Sequence, residues 1–445
     1  MSDTESSDRP KRLAPLPRAV WLLSFVSFFA DISGEMVYPL LPLFVVGALG
    51  SSKTQLGIIE GFSIFLVALM TGLAGFRSDR MGKRVPWIRW GYGLPVIGKT
   101  VIALATSWQL VLGGRLMDRF GKGLRGAPRD ALIAEAVTPD QRGRAFGLHR
   151  ALDTSGALIG VLLAAFLLWW LTGTPSKMNG EQSISAAVQT PAWVFRAIFA
   201  VGAVLGFLSM ALAFFVEEAD VPTAAIDNST TNNSSTNAVG LENGADPEKA
   251  LRPGWLGLPK SYWFILGVLT LFSFANSSDA FLLLRASDLG YSPWVVVLIY
   301  AVYNVTYAAL AYPAGAMSDR LGRWRIIAVG WTIYAIVYTG FAFLPDAQAW
   351  GLWPLMAFYG FYMALTEGVG KALIADHAPR QKRGTAMGIF YSITGLTTLV
   401  ASLLAGLTWD RFGPTAAFLI GAGFAVIALV AVILFSNRLA AHSAN

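Results

Sequence analysis

Apolar blocks long enough to cross a bilayer recur from one end of this chain to the other, and they limit its fold before any motif is considered. Runs such as WQLVLG and VLLAAFLLWWL could not form a solvated surface. Of the 445 residues, 55% are hydrophobic and only 14% are charged. A soluble protein carries roughly 25% charged residues. A membrane-spanning helix needs about twenty mostly apolar residues. Blocks of that length place spans near 19–47, 55–75, 86–106, 109–134, 144–171, 192–215, 259–284, 293–317, 325–344, 350–376, 385–408 and 414–436. The expectation is an all-α membrane protein with twelve transmembrane helices. A β-barrel would show alternating segments of ~10 residues instead. Cysteine is absent, which excludes a disulfide framework, a thiolate metal site and a cysteine nucleophile.

The loops between the blocks sort by charge. One set holds Arg9, Lys11, Arg12, Arg77, Arg80, Lys83, Arg84, Arg142, Arg144, Arg320, Arg323, Arg380, Lys382 and Arg383. The other holds little beyond Lys53, Lys177 and Arg411. By the positive-inside rule both termini are expected in the cytoplasm, with the chain in a bacterial inner membrane. The first block follows a basic tail (1–18) and is too long for a signal-peptide core, so it is expected to be retained. The net charge of +7 therefore reports topology, and nucleic acid is not expected as a partner. Between the sixth and seventh spans lies VPTAAIDNSTTNNSSTNAVGLENGADPEKALRPG. That segment is too poor in large apolar residues to fold, and a disordered cytoplasmic linker is expected over 216–258. It separates two six-helix bundles, 19–215 and 259–436, ahead of a short tail (437–445).

The two bundles are related. GFRSDRMGKR, from Gly75 to Arg84, returns as GAMSDRLGRWR, from Gly315 to Arg325. ALIAEAVTPDQRGRAFG, from Ala131, returns as ALIADHAPRQKRGTAMG, from Ala372. Two matches at nearly one offset indicate a duplication. Duplicated halves predict a pseudo-symmetric pair, with solute bound between them near the bilayer midplane.

The repeated loop, G-x-x-x-D-R-x-G followed by basic residues, resembles the signature loop of the major facilitator superfamily. Arg115 falls where that superfamily carries an arginine within its fourth helix, and the resemblance covers essentially the whole chain. It implies the twelve-helix fold, alternating access and a cavity lined by helices one, four, seven and ten. It also implies gating roles for Asp79, Arg80, Gly82 and Arg84, and for Asp319, Arg320 and Gly322. In such loops the aspartates lock one conformation against neighbouring helix ends.

The fourth span is the most informative, because it is far too charged for its place. GRLMDRFGKGLRGAPRDALIAE sets Arg115, Asp118, Arg119, Lys122, Arg125 and Arg129 on one stripe of a helix, within roughly 120° of arc. An intramembrane Arg or Lys costs about 2.5–3.5 kcal/mol on insertion scales, so the stripe must face protein or water. In one reading it pairs with acids on neighbouring helices as a structural network. Asp31 and Glu35 share a face of helix one, Asp153 lies on helix five, and depth places Asp31 near Arg119 and Lys122, with Glu35 nearer Arg115. In the other, an anionic solute or a proton displaces one partner of a pair. Proton coupling is then expected at Asp31, Glu35 and Asp153. Substrate contacts are expected at Arg115, Asp118, Arg119 and Lys122, since Arg offers carboxylate or phosphate a bidentate fork. Arg125 and Arg129, near the cytoplasmic mouth, are expected as gate or headgroup partners.

The second half is sparser. Glu367 and Lys371 stand four residues apart on helix ten, and Asp279 follows Asn276 on helix seven; Asp279 and Glu367 join the expected substrate-binding set. Tyr303, Asn304, Tyr307 and Tyr312 on helix eight are candidates to cradle an organic group. Three scattered histidines make a metal site improbable, no nucleophile or nucleotide motif occurs, and neither an enzyme nor a cofactor is expected. The expected function is secondary active transport of a small anionic or zwitterionic organic solute by a monomer, coupled to protons, with export favoured. ALDTSGALIGVLLA on helix five lacks the Gly-Pro pair frequent in exporters of hydrophobic drugs. A drug/proton antiporter and a non-transporting scaffold or sensor are the alternatives.

Overall fold

The computed structural model describes residues 15–138, 141–173, 190–218, 255–379 and 382–443. Among these the chain is helical, with no strand. The first half comprises α1 (Arg18–Val37), α2 (Lys53–Met81), α3 (Val85–Ala103), α4 (Trp108–Glu135), α5 (Arg142–Thr172) and α6 (Ala192–Ala213). The second comprises α7 (Lys260–Ser273), α8 (Ala280–Asp288), α9 (Pro293–Leu321), α10 (Arg323–Phe343), α11 (Leu352–Asp376) and α12 (Arg383–Ser443). The linker expected over 216–258 falls mostly outside the described residues. At its near edge, Glu218 accepts hydrogen bonds from the backbone of Arg84 and Val85.

Several expected spans are subdivided, each for a local reason. The first α-helix stops at Val37, because Pro39 and Pro42 withhold backbone donors; the chain continues as a 3-10 turn (Tyr38–Leu40) and a π-helical segment (Leu43–Ala48). The seventh span, apolar in sequence, breaks between α7 and α8 over 274–279. There Asn276, Ser277, Ser278 and Asp279 compete for backbone groups: the Ser278 hydroxyl accepts from the Ala280 amide, and the Ser402 hydroxyl from the Ser278 amide. The last two expected spans form one long element that turns at Gly413, whose φ of 82° suits glycine.

By length and hydropathy, seven described helical segments could each cross a membrane, one of them 50 residues long over Thr385–Leu434. The α4 helix is not among them, as its stripe requires. Outward faces carry large apolar side chains such as Trp90, Val204, Phe207 and Ile433, while charged side chains such as Glu60 and Arg115 are buried. This inversion of a soluble protein's pattern identifies lipid as the surrounding medium.

Within the first half α1 packs on α5 and α6, and α4 packs on α2 and α3; within the second, α11 packs on α9 and α10, and α12 on α7 and α10. The halves meet along two seams, α2 against α12 and α5 against α9. The α2–α12 seam is built of small residues. A Cβ at Gly57 would collide with the Ser402 backbone, one at Gly61 with Leu399, and one at Gly406 with the backbone of Lys53 and Thr54. At the end of this seam remote from the basic loops, Asp410 caps α2, accepting from the Lys53 amide (3.0 Å), the Thr54 amide (2.8 Å) and the Thr54 hydroxyl (2.6 Å). Partial burial raises the Asp410 pKa, but the bonds from Thr54 and Lys53 outweigh it and hold this carboxyl below its ordinary range.

Candidate functional site

Glycines set the rotation of α4, and rotation decides what its stripe faces. Gly98 of α3 and Gly114 of α4 bring those backbones into contact, and Gly123 lies against Val67 and Met70 of α2. The remaining arc of α4 borders a cavity of about 850 Å³ between the halves. All five stripe cations line it, and Arg115 and Arg129 stand about 21 Å apart along the helix. Cavities of this volume accept drug-sized organic molecules. Acids line it too: Asp31, Glu35, Glu60 and Asp153 from the first half, Asp279 and Glu367 from the second.

The deepest cation is fully compensated. The Arg115 guanidinium donates to both Glu60 oxygens (3.2 and 3.3 Å), and both side chains are buried. Its ring-facing side lies 5.1 Å from the Tyr38 centroid. Depth alone had favoured Glu35 as the Arg115 partner. Glu35 instead accepts from the Tyr300 hydroxyl of α9 at 3.3 Å, across the interface. Glu60 also accepts from Ser278 at 3.3 Å, so one carboxylate joins the stripe to the break in the second half. The expected list lacked Glu60 as a site residue; its sequence signal was simply an acid inside an otherwise apolar span.

Asp118 does not line the cavity. It sits at the α3 edge of the stripe, between Lys99 (3.7 Å), Arg115 (3.6 Å) and Arg119 (3.6 Å), where it offsets three cations. Lys99 also donates to Ser33 at 2.8 Å. Arg125 is buried, 4.3 Å from the Tyr92 ring centroid, and donates to the Gly91 carbonyl. Arg129 pairs with Asp130 (2.9 Å) and donates to Ser27 (3.0 Å). Lys122 differs: its side chain is exposed to the cavity and, among the described residues, has neither a hydrogen bond nor an ion pair.

The three expected proton carriers divide. Asp153 accepts from Ser27 at 2.8 Å, pairs with Arg150 at 3.5 Å, and lies beside Asp31 on the cavity wall. Asp31 and Asp153 are thus brought together, from α1 and α5, whereas Glu35 stands apart with Tyr300.

In the second half Glu367 pairs with Lys371 at 2.6 Å and accepts from Tyr307 at 2.6 Å. Asp279 accepts from Tyr359 at 2.7 Å. Of the four candidates on the eighth span none lines the cavity: Tyr303 is buried in a ring stack, Asn304 bonds its own helix, Tyr307 serves Glu367, and Tyr312 points out of the bundle. Tyr300 lines it instead, with Phe272, Trp331 and Tyr362. Phe272 and Trp331 stack at 4.6 Å with an interplanar angle of 6°.

The repeated loops make matching contacts. Arg84 chelates Glu135 at the end of α4 (2.7–3.0 Å), and Arg323 pairs with Asp376 at the end of α11 (2.5 Å) and with Asp319 (3.3 Å). Glu135 and Asp376 are the equivalent acids of ALIAE and ALIAD, but their partners are offset by one residue: Arg323 falls at the position of Lys83, and Arg84 at that of Trp324. Gly82 ends α2 with φ 62°, and Gly322 separates α9 from α10 with φ 93°. Arg80 lies over Phe76, Arg320 is exposed, and the side chain of Asp79 is outside the described residues.

These features describe a membrane protein of two related halves around a charged, solute-sized chamber. Residues 23–370 and 263–445 match the sequence profile of the Major Facilitator Superfamily. An uncharacterized MFS-type transporter of Methanocaldococcus jannaschii is 32% identical over 93% of this chain and 93% of its own length. The multidrug resistance protein MdtH of Salmonella typhi is 23% identical over 84% of this chain and 82% of its own. Among solved structures, the POT family transporter PepTSo superposes with a TM-score of 0.71 at 14% identity, covering 96% of this chain and 99% of that one. The D-xylose-proton symporter gives 0.67 at 16%, covering 92% and 95%. The chain belongs to the major facilitator superfamily: it is an integral membrane transporter of small molecules, not an enzyme.

Proposed function

We propose that the chain moves a small organic solute bearing an anionic group, by alternating access of its two halves, with proton movement coupled to it and export as its direction. The observation that carries this reading is Lys122, which faces a cavity of about 850 Å³ with no hydrogen bond or ion pair among the described residues and has Asp31 and Glu35 as its nearby acids. Arg119, whose nearest acid is the shared Asp118 at 3.6 Å, is its partner in anion binding. Arg115, fully paired with Glu60, holds the site's shape. Asp31 and Asp153 carry the coupling proton: the pair shares one proton, and its loss adds one negative charge to draw on Lys122, Arg125 and Arg129. Substrate and proton then bias the same two-state equilibrium. Arg80, Arg84, Asp319 and Arg320, with Gly82 and Gly322 at the turns, act as the gate at the basic-loop end, Asp79 completing the first copy; Arg125 and Arg129 form its inner rim. Both termini lie in the cytoplasm of a bacterial inner membrane, and the monomer is the working unit.

The test is a melting-temperature screen of the purified protein against organic anions, cations and neutral drugs at two pH values, followed by transport in liposomes under an imposed pH gradient. Organic anions should stabilise the protein, and Lys122→Gln should weaken their binding about tenfold, the weight of one charge-assisted contact. Stabilisation by neutral drugs alone would favour a second reading. The likeness to MdtH, a multidrug resistance protein, together with the Phe272–Trp331–Tyr362 wall, supports a hydrophobic-drug antiporter in that event.

A further inference from the structure

The two walls of the cavity differ in which charge lacks a partner. On α4 it is Lys122. On the facing half it is Asp279, which accepts from Tyr359 and, among the described residues, pairs with no cation. The charged groups that act on it most strongly, Glu60, Glu367 and Glu35, are acids.

The break between α7 and α8 adds acceptors to this wall. Asn276 lines the cavity, and its Oδ1 is buried with no hydrogen-bond partner. The C-terminal, electronegative end of α7 finishes beside it. Non-helical backbone is tolerated at membrane depth only where it is buried in protein or borders a cavity. Here it presents a carboxylate and an orphan carbonyl oxygen. Phe272 and Trp331, stacked on each other in the same wall, border the cavity with apolar ring edges.

A simple anion on Lys122 would leave Asp279 uncompensated and add negative charge to a chamber already rich in acids. An inorganic cation at Asp279 would leave Lys122 unmatched and the aromatic wall unused. We propose that the solute is an aromatic-bodied zwitterion, held with its anionic group on Lys122 and Arg119 and its ammonium at the helix break against Asp279 and Asn276 Oδ1. Its ring lies along Phe272 and Trp331. This rests on the reading of the cavity as the transport site with an anion on α4, and it assigns Asp279 as the residue that selects for a positive group.

The test uses three matched indole compounds on the full chain in detergent: L-tryptophan, indole-3-propionate and tryptamine. Equilibrium binding to the unmodified protein should favour tryptophan at least tenfold over either single-charge analogue. Asp279→Asn should bring tryptophan to the level of indole-3-propionate while leaving indole-3-propionate unweakened; Asp279→Glu should keep the preference. Equal binding of tryptophan and indole-3-propionate by the unmodified protein overturns the inference and leaves the anion reading standing. Strongest binding of tryptamine, unchanged by Lys122→Gln, overturns both. Failure of all three to bind removes the aromatic zwitterion, and the anion reading is then judged by its own screen.

Discussion

The two halves share a plan and differ in what they bury. At the basic-loop end they are alike: a loop arginine meets the acid that ends the fourth helix or its equivalent, Arg84 with Glu135 in one and, one repeat position earlier, Arg323 with Asp376 in the other. In the interior they diverge. The first half commits its fourth helix to five cations, whereas the equivalent α11 carries only the Glu367–Lys371 pair. The first half has an unbroken α1 over Asp31 and Glu35, whereas the second breaks at 274–279 and surrounds the break with tyrosine rings. The surface contacts of the basic-loop end are shared in kind by both halves, and the buried charges of the interior are divided between them.

That comparison can be broken in several places. The largest effect is expected from the carboxyl pair of the first half. Asp31→Asn should abolish proton-driven transport in liposomes while solute exchange without a gradient survives; loss of exchange as well would make Asp31 structural. Next comes the buried ion pair. Glu60→Ala leaves the Arg115 charge buried alone and should cost about 3–5 kcal/mol of stability, read as a lowered melting temperature. The half-exposed pair of α11 should behave otherwise: Lys371→Ala should cost no more than about 1 kcal/mol. Equal losses in the two variants would contradict the division of labour. The repeated gate contacts predict a smaller, matched effect. Arg84→Ala and Arg323→Ala, each removing one surface chelate, should alter accessibility of the basic-loop end to a water-soluble thiol reagent, read at an introduced cysteine, by similar factors; a change in only one would show the halves to be unequal gates. The smallest effect concerns pH. Because the capping bonds depress the Asp410 pKa, its contribution to the closed end is present above the ordinary value of about 3.9 and is lost only as pH falls through the lowered one. Accessibility of that end should therefore be flat above about pH 5, and a transition near neutrality would mean that another group controls it.

Much of the fold was legible because its signals are periodic. Apolar block length, loop charge and a repeated ten-residue loop each report on geometry that one chain can encode by itself. The stripe on α4 was legible for the same reason, since a turn of 100° per residue places Arg115, Arg119, Lys122 and Arg129 together. Partner choice was not. Depth along two helices leaves their mutual rotation free, so Arg115 was matched to Glu35 when α2 in fact turns Glu60 toward it. Asp118 shares the stripe yet faces Lys99, because α3 approaches closely through Gly98 and Gly114. The break at 274–279 was hidden inside an apolar run, where four polar residues resembled ordinary cavity lining. Glu135 and Asp376 could have been found: both lie in the repeated peptides, at the ends of equivalent helices.

The smoothness of the α2–α12 contact has a mechanical consequence. Gly57 and Gly406 let one helix rest on the backbone of the other, and at Gly61 the Leu399 side chain is the one knob seated in the contact, so on the proposed cycle little side-chain interlock has to be released there. On that cycle the contact would work as a bearing, with the Asp410 latch on Lys53 and Thr54 holding one end. A leucine at Gly61 would give that bearing a tooth.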